Sequence, residues 1–136
     1  MLEYKELNLN PNNEHSNDCS TRAICYCLKL PWETVHKQQE ELAEEIGKVY
    51  STEFLFNDGM VVNELLIRYG FEYYKIEPIE LINFDTVIKK MGFPENAVFI
   101  CWSSLGGHVV AVDGNYYIDN VNRGYLEVDS FYVKVL

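Results

Sequence analysis

The run Ala97-Val98-Phe99-Ile100-Cys101-Trp102, followed by His108-Val109-Val110-Ala111-Val112, Asp113-Gly114-Asn115 and Tyr116-Tyr117-Ile118-Asp119, decides the fold. The first run is uninterrupted and apolar. It lies between Gly92 and Pro94 on one side and Ser103-Ser104-Leu105-Gly106-Gly107 on the other, so its length and composition predict a central β-strand. The next two runs flank Asp-Gly, a turn in which glycine supplies the positive φ that a tight hairpin requires, and they predict an antiparallel pair. The tail from Tyr125 to Leu136 predicts at least one more strand.

Upstream the period changes from two to that of a helix. Phe84 to Met91 places Val87, Ile88 and Met91 on one face, Phe71 to Ile76 reads as extended, and Met60 to Tyr69 reads as a helix closed by Gly70. Tyr50 to Gly59 is irregular. Pro31 is suited to the first position of a helix that carries Trp32, Val35, Leu42 and Ile46 on one stripe, with Lys37, Glu40, Glu41 and Glu44 outside it and Gly47 at its end. Asn17 and Asp18 are strong N-cap types immediately before Cys19, and Ala23, Ile24, Cys27 and Leu28 recur at helical spacing, so a buried helix is expected to begin at or just before Cys19. Asn8 to Asp18, rich in Asn and broken by Pro11, reads as a loop. With no internal repeat, the expectation is a single domain over 1–136 of the α+β class, its N-terminal helices packed against a mostly antiparallel sheet.

Composition narrows the function. The chain has 136 residues, 48% of them apolar, and 11 basic against 21 acidic side chains for a net charge of −10. That size supports one hydrophobic core without disulfides or a structural metal. Apart from Lys89-Lys90 the basic residues are scattered, whereas acids crowd at Glu40-Glu41 and Glu44-Glu45. No basic face is on offer, which argues against nucleic acid and against an anionic membrane as partners. The N-terminal residues lack a signal-peptide layout, and no apolar run approaches the roughly 18 residues of a spanning helix. A cytoplasmic location is expected, with the four cysteines as thiols.

Cys19 stands where a nucleophile would be favoured, because the first turn of a helix offers the positive end of the dipole and unpaired backbone N–H groups. Both favour a thiolate, and the same N–H groups provide part of an oxyanion hole. Cys25 and Cys27 lie further along that helix, and Cys101 lies in the apolar strand; all three are expected to be packing residues. His108 opens a strand after a loop of small residues, and Asp119 ends its hairpin partner. Counted from the Asp-Gly turn, both finish near the same open end of one ladder, where the carboxylate would orient the imidazole and leave its other nitrogen for a thiol. His36 is expected at the surface, and His15 in the Asn-rich loop. A metal site from Cys19, His108, Asp113 and Asp119 has no recognised ligand spacing, so neither metal nor cofactor is expected.

The order Cys19, His108, Asp119 resembles that of papain-like cysteine peptidases, in which a Cys at a helix start is followed by His and then Asn or Asp on neighbouring strands. More closely, Asn10-Pro11-Asn12, Asn17-Asp18-Cys19-Ser20-Thr21-Arg22-Ala23-Ile24 and Leu30-Pro31-Trp32-Glu33-Thr34-Val35 resemble small papain-like proteins of bacteriophages and prophages. Gly107-His108-Val109-Val110-Ala111-Val112 and Tyr117-Ile118-Asp119-Asn120 resemble the closing strands of the same proteins. The segment Asp-Cys-x-x-Arg-Ala is also similar to deubiquitinating peptidases of the ovarian-tumour type, whose catalytic His motif ends differently. Two positions depart from the pattern. Asn17 stands where the phage proteins usually have Gly, and Asn13 stands where papain-like enzymes place Gln six residues before the nucleophile.

The resemblance implies a papain-like fold and a cysteine protease, a hydrolase of a peptide or isopeptide bond with Cys19, His108 and Asp119 as its catalytic triad, acting on a protein or peptide substrate. Acyl transfer through the same intermediate is an equivalent outcome. Asn13 is the favoured oxyanion-hole candidate, with Asn10, Asn17 and His15 as alternatives. The alternative function is an inactive module of the same fold that holds a host or phage protein. Oligomeric state is left open by the sequence.

Overall fold

The computed structural model describes residues 1–12, 18–47 and 59–136. The irregular stretch at Tyr50 and beyond, and Asn13, His15 and Asn17, lie outside the described residues. Among the described residues the fold is α+β, with four α-helices and a six-stranded sheet. In chain order the elements are β1 (Glu3–Glu6), α1 (Cys19–Leu28), α2 (Trp32–Glu45), α3 (Gly59–Arg68), β2 (Glu72–Glu80), a 3-10 turn (Leu81–Asn83), α4 (Phe84–Met91), β3 (Ala97–Ser103), β4 (His108–Asp113), β5 (Tyr116–Asp119) and β6 (Glu127–Val135).

The sheet order is β1-β5-β4-β3-β6-β2, and every pairing is antiparallel except β1 with β5. β3 is interior, as its apolar run requires, because both of its faces are covered. Val98 and Ile100 meet α1, α2 and α3 on one face, together with Val109 and Ala111 of β4. Phe99 and Cys101 point into a second core with Phe84, Phe131 and Leu81. The α4 helix therefore lies across the sheet from the other three. The reason is the alternation within β3 and β4: Ala97 to Trp102 and Val109 to Val112 are apolar without interruption, so each strand presents apolar side chains to both faces. In the second core Phe131 stacks on Tyr74 at 5.3 Å and meets Phe84 edge-on at 5.2 Å.

Helix ends follow local chemistry. Lys29, at φ 54°, closes α1 in the left-handed region, and its N–H returns to the Cys25 carbonyl. Pro31 sits one residue before α2 rather than within it, and its carbonyl accepts from Thr34 and Val35. Gln39, fully buried on α2, donates to Ser20 Oγ and accepts from Thr21 Oγ1, tying α2 to the first turn of α1. Ile46, expected on the buried stripe, is exposed.

The β4–β5 register pairs Asp113 with Tyr116, Val112 with Tyr117 and Ala111 with Ile118. β1 was not legible as a strand. Its sequence, Glu-Tyr-Lys-Glu, has no apolar alternation, and it joins the sheet through backbone pairing with β5 from Glu3–Tyr116 to Glu6–Asp119. No helix among the described residues is long and apolar enough to cross a membrane.

The second core makes a stability prediction. Phe131→Ala should lower the unfolding free energy by about 3–5 kcal/mol, whereas Ile46→Ala should change it by less than about 0.5 kcal/mol. Urea denaturation followed by circular dichroism reads both.

Candidate active site

Cys19 is the first residue of α1, preceded by Asp18 in the cap position. Asp18 does not cap the helix with its side chain as its residue type suggested. Fully buried, it accepts from Arg22 Nε on Oδ1 at 2.8 Å, and from Asn10 Nδ2 at 3.0 Å and Trp32 Nε1 at 2.9 Å on Oδ2. The helix start is thus bound to its own next turn, to the preceding loop and to α2.

Arg22 lies one turn after Asp18 on α1, and its Nη1 reaches across to Asp119 Oδ1 at 3.0 Å. The other carboxylate oxygen, Oδ2, meets His108 Nε2 at 2.7 Å and Arg123 Nη1 at 2.8 Å. The hydrogen-bonded partners of His108 are Asp119 and the Cys19 thiol. Since Nε2 is directed at Asp119, Nδ1 is the nitrogen that remains for sulfur. The three residues singled out in the sequence, Cys19, His108 and Asp119, are therefore brought together in that order.

Asp119 is held from several directions. Its backbone carbonyl accepts from Leu7 N–H at 3.0 Å and Tyr4 Oη at 3.2 Å, and its own Oδ1 accepts from Asn120 N–H at 2.8 Å. The last ladder rung between β4 and β5 is Ala111 with Ile118, one residue before Asp119. From there the two strands are joined through the His108–Asp119 side chains.

Burial opposes the charge of both partners, and their contacts reverse it. Burial would raise the Asp119 carboxyl, but the hydrogen bond and charge of His108, then Arg123 and Arg22, bring it down to about 2. Burial would likewise lower His108, but hydrogen bonds to Asp119 and Cys19 lift it above its ordinary value. The remaining cysteines behave as core. Burial, helped by the nearby charge of Asp18, pushes Cys25 up to about 12, and burial likewise raises Cys27 and Cys101 well above the ordinary thiol value.

No protein-family model matches this chain, and no curated protein is matched by it. Its chemistry must be read from the site.

Among the oxyanion candidates, Asn13, Asn17 and His15 lie outside the described residues, while Asn10 spends an amide hydrogen on Asp18. His36, expected at the surface, is half-buried along α2, with its side chain 21% exposed, its ring stacked on Trp32 at 4.6 Å and Nε2 meeting Glu40. Among the described residues no group of three His, Cys, Asp or Glu side chains is arranged to hold a metal ion, and Asp113 instead accepts from Tyr26 Oη at 3.1 Å. Sequence reasoning missed Arg22, Arg123 and the role of Asp18. Only the Asp18–Arg22 pair left a readable signal, an acid and a base one helical turn apart.

Both shifts couple the site to stability, with opposite signs. Asp119 has a folded value of about 2 against an ordinary 3.8, so its contribution is complete above 3.8 and fades as pH falls towards 2. His108 has a raised folded value against an ordinary 6.5, so its contribution is complete below 6.5 and fades as pH rises through the folded value. Asp119→Asn should therefore cost about 2 kcal/mol near neutral pH, with the deficit shrinking between pH 4 and pH 2. Chemical denaturation of both proteins across that acid range measures it, and a pH-independent deficit would contradict the assignment.

Proposed function

We propose that this chain is a papain-like cysteine peptidase of the kind that bacteriophages and prophages encode, cleaving a peptide or isopeptide bond. The observation that supports it most is one imidazole, that of His108, bonded to the Cys19 thiol at the start of α1 and to Asp119 Oδ2 at 2.7 Å.

In this reading the Cys19 sulfur attacks the scissile carbonyl carbon while its proton passes to His108 Nδ1. The tetrahedral oxyanion forms against the first turn of α1, where the helix dipole favours negative charge, and Asn13 is the proposed second donor. Collapse breaks the C–N bond, and the proton on Nδ1 goes to the departing amine, leaving an acyl-enzyme. Water then gives its proton to Nδ1 and its oxygen to the acyl carbon, and the thiol is restored as the acid departs. An amine in place of water gives acyl transfer. Asp119 stabilises the imidazolium and fixes the ring throughout. The proposed substrate is a protein or peptide, and the net charge of −10 disfavours nucleic acid.

One observation favours a second reading, an inactive binding module on the same scaffold. Cys19 is only 5% exposed, and the cavity that it lines with Arg22, Ala23 and Asp119 measures about 10 Å³, the space of one water molecule.

Labelling separates the two. In folded protein at pH 6.5, iodoacetamide should modify Cys19 at least tenfold faster than Cys25, Cys27 or Cys101, and His108→Ala should erase that selectivity while the far-UV spectrum is unchanged. Cys19→Ala and His108→Ala should each lower hydrolysis of a peptide library by about a thousandfold or more. Equal labelling of Cys19 in the wild type and in His108→Ala would favour the binding module.

A further inference from the structure

Asp119 Oδ2 carries two donors, His108 Nε2 at 2.7 Å and Arg123 Nη1 at 2.8 Å, whereas Oδ1 carries Arg22 and the Asn120 N–H. The two arginines differ in their surroundings. Arg22 is buried and its charge is answered by Asp18 at 2.8 Å. Arg123 reaches the carboxylate from the segment after β5, remains 28% exposed in its side chain, and otherwise donates to the neutral Asn120 Oδ1 at 3.2 Å. Arg22 with Asp18 is thus an internally balanced pair that orients the carboxylate, while Arg123 draws on the same oxygen that the imidazole uses.

Resting on the reading of Cys19, His108 and Asp119 as a triad, we propose that Arg123 is a positioning residue that shares Asp119 Oδ2 with His108 and limits how much of that oxygen's negative charge reaches the imidazole. Among the described residues, the groups facing the pair come from three elements. From α1 come Cys19 and Arg22, with Asp18 behind it; from β1 come Tyr4, whose hydroxyl lies on the Asp119 carbonyl, and Glu6, paired with Asp119 across the ladder; from the segment after β5 come Asn120 and Arg123. Arg123 is the only one of these whose positive charge both touches Oδ2 and is partly open to solvent. A triad with Asp119 undivided would hold its imidazolium harder and give up the proton to the departing amine less readily. Arg123 keeps that proton transferable.

The test titrates His108 by NMR of its ring Cε1–H in protein carrying Cys19→Ser, so that the thiol does not titrate with it. The signal is assigned by its loss in His108→Gln. Arg123→Gln, which removes the charge and retains a donor, should raise the midpoint by about half to one pH unit, a shift reduced from that of a buried pair by solvent. Arg123→Lys should leave it at the parent value. Arg123→Met serves as the neutral variant should the Gln protein not fold. An unmoved or lowered midpoint in the neutral variant, or an equal rise in the Lys variant, would overturn the role of Arg123. Those results leave the triad standing, whereas His108-independent labelling of Cys19 would remove the peptidase reading and leave the titration interpretable by itself.

Discussion

A carboxylate taken out of water must find equivalent partners inside the protein, and much of this molecule is arranged around the one at Asp119. Its side chain is 2% exposed and ionised far below the usual range, with a guanidinium on each oxygen and the imidazole on one. The partners come from separate elements: α1 supplies Arg22, β4 supplies His108, the segment after β5 supplies Arg123, and β1 binds the backbone carbonyl. Asp18 extends the network backwards to α2 through Trp32. The helical layer, the sheet and the connecting segment thereby converge on one anion, and the position of Cys19 beside His108 follows from that convergence.

What was legible in the sequence was whatever depends on local chemistry. The start of α1 at Cys19, the span of α4 from Phe84 to Met91 and the hairpin about Gly114 all rest on periodicity, caps or a turn that demands positive φ. Counting residues from that turn also brought His108 and Asp119 together, because a hairpin transmits register along its whole length. The features that escaped depend on distant partners. β1 is chosen by an open sheet edge and not by its own side chains; Gln39 is buried because Ser20 and Thr21 offer it hydrogen bonds; Arg123 shows no pattern at all in one dimension. The placement of α4 across the sheet is of the same kind, since an uninterrupted apolar run does not say which helix covers which face.

Four cysteines share similar residue chemistry and are sorted by surroundings. Three are enclosed among aliphatic and aromatic neighbours, where burial keeps them protonated, and Cys27 directs its sulfur at the Phe99 carbonyl, 3.7 Å away. Cys19 is equally well covered by area, yet its neighbours are an imidazole and a helix terminus. Fractional exposure would not have distinguished them; what the sulfur touches does.

The separation of these residues along the chain has a consequence for biosynthesis. Cys19 leaves the ribosome about ninety residues before His108 and a hundred before Asp119, and β6, from Glu127 to Val135, fills the place between β3 and β2 in the sheet. Until then Cys19 has neither His108 nor Asp119 to contact. Tyr4 must wait longer in sequence terms than any of them, since its partner is 115 residues away. The topology thus fixes an order of assembly: the Cys19–His108–Asp119 contacts close only once β5 has been made, whatever chemistry they go on to serve.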